Sequence, residues 1–140
     1  MFQLDPRFNN DCTVIGRFKL SLLLLMNDAN YPWFILVPRE ANIREIYQLS
    51  DQQQQQLTRE SCQLSRALAT TFNGDKINIA SLGNIVEQLH IHHVVRYQND
   101  PSWPAPIWGR HKALPYTAEE QRVVTQQLIH ALDSHFVPAG

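Results

Sequence analysis

The chain lacks the features that mark several common protein classes. Its 140 residues include only two cysteines, Cys12 and Cys62, and the formal net charge is −1. Two isolated cysteines are too few for a disulfide framework or a cysteine-based zinc site, and they favour a reduced, cytoplasmic setting. The balanced charge gives no electrostatic basis for binding nucleic acid or a membrane surface.

Long hydrophobic runs are also missing. The apolar run Leu22–Met26 is far too short to span a bilayer. No cationic stretch followed by an apolar one opens the chain, so we expect no signal peptide. A hydrophobic content of 44% in 140 residues is enough for one real core. We therefore predict a single soluble domain over residues 1–140.

The first 40 residues predict an antiparallel meander. Three runs of β-favouring residues follow one another: 13–15, 19–26 and 33–37. The turn-forming cluster Asn27–Pro32 separates the last two runs, and Pro38 ends the third. We predict that Gly16 and Arg17 form the turn between the first two strands.

Residues 50–72 predict a long helix. Ser50 and Gln53 fit a capping box at its start, and Asn73-Gly74 fits its end. Apolar residues recur on one face at helical spacing: Leu57, Leu64, Leu68 and Phe72. The glutamine-rich stretch 52–56 is expected to form solvated first turns.

The rest of the chain completes an α+β pattern. The expected elements are a strand (76–80), a loop (81–84), a strand (88–96), a Pro- and Trp-rich loop (99–109) and a helix (117–136). Thr117 and Glu120 fit a second capping box, and an apolar stripe continues to Phe136. The order β-β-β-α-β-β-α favours one α+β domain.

The most informative segment is Gln-Leu-His-Ile-His-His-Val-Val, residues 88–95. Successive side chains of a strand point to opposite faces, so His90 and His92 share one face and are backed by an apolar layer. His93 occupies a position where an apolar residue would be expected. We predict that His93 is buried and hydrogen-bonded, because burial of an unpaired imidazole is costly.

This segment resembles the signature of the histidine triad (HIT) superfamily of nucleotide hydrolases and transferases, His-φ-His-φ-His-φ-φ, where φ is apolar. Gln88 would hold the first histidine position, His90 the second and His92 the third. The resemblance covers roughly residues 12–108. It implies a HIT-like fold, in which a long helix packs on one face of an antiparallel sheet.

The resemblance also implies a mechanism without a cofactor or a resident metal. His90 would attack the α-phosphate of a purine nucleotide conjugate and form a nucleotidyl-imidazole that water then hydrolyses. The backbone carbonyl of Gln88 would hold the proton on Nδ1 of His90. His92 would contact the phosphate and the leaving-group oxygen. Because the missing histidine side chain would weaken a relay, Gln88→His is expected to raise kcat.

The remaining site residues follow from the same resemblance. Asn78, Gly83 and Asn84, together with Gln88, would contribute to the phosphate site. Asn27 or Asp28 would bind the ribose, although both also fit a role as turn formers. Leu23, Leu25 and Phe18 are candidates to sandwich the base or to be plain core, and Trp108 is expected at the leaving-group rim.

Two other interpretations remain open. His-x-His is a common spacing for zinc or iron, which would need a third ligand such as Glu87 or His111. Alternatively, Gln88, together with Ile85 in a position where many members place Ser or Thr, marks a nucleotide-binding protein with a degenerate triad. The sequence does not choose among dinucleoside polyphosphates, nucleoside phosphoramidates and nucleotide sugars. A homodimer is expected because HIT proteins commonly pair through the long helix and the following strand.

Overall fold

The fold is organised around one antiparallel sheet. In the computed structural model, which describes residues 1–140, the strands are β1 (Cys12–Arg17), β2 (Ser21–Met26), β3 (Trp33–Pro38), β4 (Lys76–Ala80), β5 (Ile91–Arg96) and β6 (Val137–Pro138). Their order across the sheet is β4-β5-β3-β2-β1-β6. The helices are α1 (Phe8–Asp11), α2 (Asp51–Phe72) and α3 (Ala118–Ala131), with a short 3-10 turn at Ile46–Gln48. The predicted α+β architecture is confirmed.

The long helix α2 begins and ends where the sequence predicts. Ser50 accepts a hydrogen bond from the Gln53 N–H at 3.2 Å, and the Gln53 side chain accepts one from the Ser50 N–H at 3.0 Å. Asn73 ends the helix in the left-handed conformation, with φ 49°. Leu64 and Leu68 on its apolar face are fully buried against the sheet. The capping box therefore fixes the start of α2, and the apolar stripe is the side of the helix that packs on the sheet.

The two faces of the central strands have separate roles. The main core of 16 residues lies under α2 and includes Leu23, Leu25 and Phe18. Alternate side chains of β2 and β3, namely Leu24, Ile35 and Val37, lie on the opposite face and pack with Phe8 of α1. Of the two roles suggested for Leu23, Leu25 and Phe18, plain core is therefore confirmed and base contact is wrong. Strand alternation turns Leu23 and Leu25 away from the histidine face, and Phe18, just after β1, packs in the same core.

The predicted turn at Gly16 and Arg17 is also wrong. Both residues lie inside β1, where a bulge between Val14 and Gly16 shifts the register with β2. Gly16 pairs with Pro138 of β6, and a Cβ added to it would lie 2.3 Å from the ring of Phe136. The glycine serves the close approach of the C-terminal segment rather than a turn.

Two element boundaries differ from the prediction. Strand β5 begins at Ile91 rather than at residue 88, because its pairing with β3 ends at Ile91 and Leu36 and its pairing with β4 ends at His92 and Ala80. The last helix ends at Ala131 instead of continuing to residue 136. Phe136 returns to pack edge-on against Phe18, with ring centroids 5.0 Å apart, and β6 then joins β1. The apolar stripe therefore continues across a chain reversal that helical spacing alone does not reveal.

None of the helices combines the length and the apolar character that crossing a membrane requires.

Candidate functional site

His90 and His92 open into one cavity on the sheet face opposite α2. Their rings lie edge to face with centroids 4.8 Å apart. The cavity has a volume of about 380 Å³, and nine of its 15 lining residues are hydrophobic. A cavity of this size and character, with a few polar groups converging in it, suits a small organic ligand.

The geometry at His90 defines which ring nitrogen carries the proton. Its Nδ1 lies 2.7 Å from the Gln88 carbonyl oxygen. A carbonyl can only accept a hydrogen bond, so Nδ1 donates and Nε2 of the neutral ring keeps its lone pair. Burial lowers the pKa of His90, and the Gln88 carbonyl acts in the opposite direction. His90 is therefore a neutral imidazole with a nucleophilic Nε2 near pH 7.

His92 is held in the opposite tautomer. The indole Nε1–H of Trp33 donates to Nδ1 of His92 at 3.0 Å. Because an indole N–H is only a donor, Nδ1 accepts and the ring proton lies on Nε2. Burial, with a smaller effect of the neighbouring His90, lowers the pKa of His92 to about 3. Near neutral pH, His92 can thus donate a hydrogen bond but does not carry a charge.

His93 faces α2 and takes no part in the cavity. Its Nδ1 donates to the Ile91 carbonyl at 3.1 Å, which leaves Nε2 to accept from the Ser61 hydroxyl at 2.7 Å. The ring is fully buried, and burial lowers its pKa to about 4. The prediction of a buried, hydrogen-bonded His93 is confirmed.

Besides His90 and His92, three of the sequence-predicted site residues lie at or beside this cavity. Asn84 lines it, and Trp108 contacts His92 edge-on with ring centroids 5.2 Å apart. A Cβ added to Gly83 would lie 2.9 Å from the Val86 carbonyl oxygen and 3.6 Å from the His90 ring. The glycine therefore permits the close approach of the Val86 carbonyl within the loop before β5, and this loop lies beside His90.

Other predicted residues support the walls instead of lining the cavity. The Asn27 side chain accepts from the Tyr116 N–H at 2.9 Å, and buried Asp28 accepts from the Leu114 N–H at 3.2 Å. Together they hold the segment that precedes α3 against the end of β2.

Asn78 supports the loop that carries Trp108. Its side-chain oxygen accepts from Arg96 at 2.8 Å, and Arg96 forms an almost fully buried ion pair with Asp100 at 2.8 Å. The Arg96 guanidinium also lies over the rings of Tyr31 and Trp103. This network ties the Pro- and Trp-rich loop to β5, and Asn78 is connected to that loop through Arg96.

Several cavity residues were not predicted from the sequence. They are Arg7, Phe8, Asp11, Cys12, Met26, Trp33, Ile35, Leu82, Ile85 (noted only as a departure), Val86 and Gly109. Strand alternation was a usable signal for Met26 and Ile35, since both lie on the face opposite Leu23 and Leu25. No sequence pattern identified Arg7 or Phe8, which reach the cavity only through the tertiary fold.

The histidine pair does not gather the ligands of a metal site. No group of three or more His, Cys, Asp or Glu side chains is arranged to hold a metal ion. In particular, the candidate third ligand His111 bonds to the Pro101 carbonyl at 2.9 Å. The residues present therefore fit a metal ion poorly.

Comparison with known proteins agrees with this geometry. The family model described as the HIT domain matches residues 7–99. The chain belongs to the HIT family. A histidine triad protein from Marinobacter aquaeolei VT8 is 52% identical, with a TM-score of 0.92 over 94% of this chain and 96% of that one. A histidine triad (HIT) protein from Sinorhizobium meliloti 1021 is 42% identical, with a TM-score of 0.92 over 94% and 98%.

More distant HIT proteins share the fold alone. A hypothetical histidine triad nucleotide-binding protein from Sulfolobus tokodaii strain 7 has a TM-score of 0.66 at 11% identity, over 90% of this chain and 88% of that one. A search of curated proteins found no match. Membership of the HIT family rests on the domain match and on the two bacterial relatives, and the matched range includes residues 88–95.

Proposed function

We propose that this HIT protein hydrolyses or transfers a nucleotidyl group at the α-phosphate of a nucleotide conjugate, through a covalent nucleotidyl-His90. The observation that carries the proposal is the Gln88 carbonyl on Nδ1 of His90, which leaves Nε2 unprotonated at the edge of an apolar cavity. That arrangement supplies a neutral nucleophile in a site that can take an aromatic base. The Sulfolobus tokodaii protein of the same fold is named as nucleotide-binding, which is consistent with this ligand class.

The chemistry needs only groups that the site contains. Nε2 of His90 forms a bond to the α-phosphorus, and the bond from phosphorus to the leaving group breaks with its electron pair on the leaving atom. The Nε2–H of His92 stabilises that atom as negative charge develops. Water then attacks the phosphorus, the N–P bond breaks with its electron pair returning to Nε2 of His90, and the proton lost by the water passes to the departed group or to solvent as the nucleoside monophosphate leaves.

The walls of the cavity suggest how the substrate lies. Asn84 and the backbone near Gly83 would contact phosphate oxygens, while Met26 and Ile35 would contact the base. Trp108 would border the leaving group. Asn27, Asp28, Asn78 and the Gln88 side chain would contribute indirectly, through the backbone segments that they hold.

A substrate panel with trapping of the intermediate tests this function. Dinucleoside polyphosphates, nucleoside phosphoramidates and nucleotide sugars would be incubated with the protein, quenched rapidly and analysed by peptide mass spectrometry. We expect at least one class to be turned over and a nucleotidyl group to appear on the peptide at His90. The variant His130→Ala, an exposed residue on α3, should behave like the unchanged protein.

The degenerate-triad alternative gives a different result in the same experiment. Nucleoside monophosphate would then bind, measured by calorimetry, while no substrate is cleaved and no adduct forms. That outcome would replace the catalytic proposal with a binding function.

We also propose a homodimer. Strand β4 lies at the edge of the sheet, and its Ile79 side chain is 52% exposed, so a second copy could extend the sheet there. Light scattering at micromolar concentration should give twice the 16.2 kDa chain mass. A mass equal to one chain would remove this proposal.

A further inference from the structure

The Gln88 side chain is fully engaged with the first residues of the chain. Its Oε1 accepts a hydrogen bond from the Asp5 N–H at 2.9 Å, and its Nε2 donates to the Gln3 carbonyl at 2.8 Å. These partners are 83 and 85 positions away in the sequence. The amide of Gln88, two positions before His90, therefore joins the triad segment to the N-terminal residues of the chain.

The segment that Gln88 holds, residues 3–8, contributes Arg7 and Phe8 to the wall of the cavity. Arg7 forms an ion pair with Asp5 at 2.7 Å and also donates to the Ile85 carbonyl at 2.9 Å, which ties the segment to the loop before β5. Phe8 is 95% buried and lies edge-on to the His90 ring, with centroids 5.0 Å apart. Gln88 is therefore connected, through residues 3–8 and the Phe8 ring, to His90, the proposed nucleophile.

Glutamine suits these two partners for a geometric reason. An amide offers one acceptor and one donor side by side on a single planar group, so it can bond a carbonyl and an N–H of the same backbone segment. An imidazole carries its donor and acceptor on different sides of a ring, and they diverge. A carboxylate has no donor at neutral pH and would repel the Gln3 carbonyl.

We propose that Gln88 is a positioning residue that holds residues 3–8 as a wall of the substrate site, with Phe8 packed against His90. The catalytic part of this proposal rests on the proposed function. On this proposal, glutamine at position 88 has its own structural role and is not simply the loss of the first triad histidine. The expectation from the sequence that Gln88→His raises kcat is accordingly reversed, since histidine would release the segment.

The first arm of the test does not depend on activity. Hydrogen exchange by mass spectrometry would compare Gln88→Ala and Gln88→His with the matched control Gln63→Ala. Gln63 also donates a side-chain hydrogen bond, to Asp133 at 3.1 Å, but it lies on α2 away from the cavity. We expect exchange in residues 3–8 to accelerate at least about tenfold in both Gln88 variants and to stay unchanged in the control. Unchanged exchange in the Gln88 variants would overturn the proposal.

The second arm asks whether Gln88 acts through Phe8. We expect Gln88→Ala and Phe8→Ala each to lower kcat/KM by about tenfold, and the double variant to lose little more than either one, since coupled residues are not additive. Effects that multiply would show that Gln88 acts on catalysis by another route. A faster Gln88→His enzyme would equally overturn the proposal.

A pH profile separates positioning from general loss of structure. Loosening the wall would expose His90, whose pKa is lowered by burial, so the acidic limb of kcat/KM should move to higher pH. The other ionisable residues that line the cavity are not substituted in these variants; they are Arg7, Asp11, Cys12 and His92. An unmoved limb with reduced kcat would contradict the proposal.

The failure of this inference can be distinguished from the failure of the proposed function. If the unchanged protein cleaves nothing in the panel, the proposed function fails, while the exchange arm still decides whether Gln88 holds the segment. If Gln88→Ala does not fold, Gln88→Glu provides a second variant that keeps the acceptor for the Asp5 N–H and loses the donor. We then expect faster exchange in residues 3–8 of that variant, and equal exchange would overturn the proposal.

Discussion

His92 and His93 are neighbours in the chain, yet they lie on opposite faces of the sheet in different environments. His92 lies beside the cavity, with a tautomer set by Trp33. His93 lies under α2, with both ring nitrogens hydrogen-bonded to the protein. Both rings have a lowered pKa because both are buried. A perturbed pKa therefore does not distinguish them, and access to the cavity does.

The largest expected effect is on the cavity side. His90→Ala removes the proposed nucleophile, so turnover should fall by about 10³-fold or more, while nucleotide binding stays within a few fold. Kinetics and calorimetry on the same preparation would measure both quantities. His90→Gly should regain some turnover with added imidazole. Turnover equal to that of the unchanged protein on every cleaved substrate would show that His90 is not the nucleophile.

On the helix side, the expected effect is on stability. His93→Ala leaves a cavity under α2 and takes away the partner of the Ser61 hydroxyl. The free energy of unfolding should fall by about 2–4 kcal/mol, measured by chemical denaturation. Activity at a temperature where the variant is folded should stay within a few fold. If His93→Ala loses turnover without losing stability, the division between the two faces is wrong.

Lowering the pH should reduce the free energy of unfolding through the buried histidines on both faces of the sheet. The pKa is about 3 for His92 and about 4 for His93, and it is also lowered for His90, from an ordinary value of 6.5. Below that value the unfolded chain binds protons that the native rings do not, so the free energy of unfolding falls as pH decreases. His92 and His93 each contribute roughly 1 kcal/mol per pH unit below the ordinary histidine pKa.

Denaturation between pH 7.5 and pH 5 would measure this slope, above the range in which ordinary carboxylates titrate. His93→Gln removes one of these rings, so the free energy of unfolding should change less steeply with pH, by roughly 1 kcal/mol per pH unit. A stability that stays constant from pH 7.5 to pH 5 would mean that the native rings take up protons as readily as the unfolded chain does.

The smallest expected effect concerns the tautomer of His92. Trp33→Phe keeps an aromatic ring but removes the N–H that Nδ1 accepts, so Nδ1 becomes free to take a proton and the pKa of His92 should rise. We expect kcat to fall about tenfold, the cost of one hydrogen bond, and its acidic limb to move to higher pH. Trp108→Phe is the matched control, because Trp108 contacts the His92 ring without donating to it. Equal profiles for the two variants would remove this role of Trp33.

Local sequence patterns were enough to predict the helix starts and the placement of His90 and His92 in the site. The capping boxes at Ser50 and Thr117 are both present in the structure, because they join residues three positions apart. The alternation of β5 placed His92 and His93 on opposite faces for the same local reason. The HIT resemblance also identified the Gln88 carbonyl as the partner of His90, and these two residues are only two positions apart.

What the sequence by itself determined is therefore the α+β order, the long helix, the HIT family and the face on which His90 and His92 lie. Only the tertiary structure decided which groups the side chains of Gln88, Trp33 and Asn78 contact. Gln88 reaches Gln3 and Asp5, Trp33 reaches His92, and Asn78 reaches Arg96, across separations of 18 to 85 residues. Side-chain hydrogen bonds between distant segments leave no periodicity in the sequence, so they become visible only when the sheet brings those segments together.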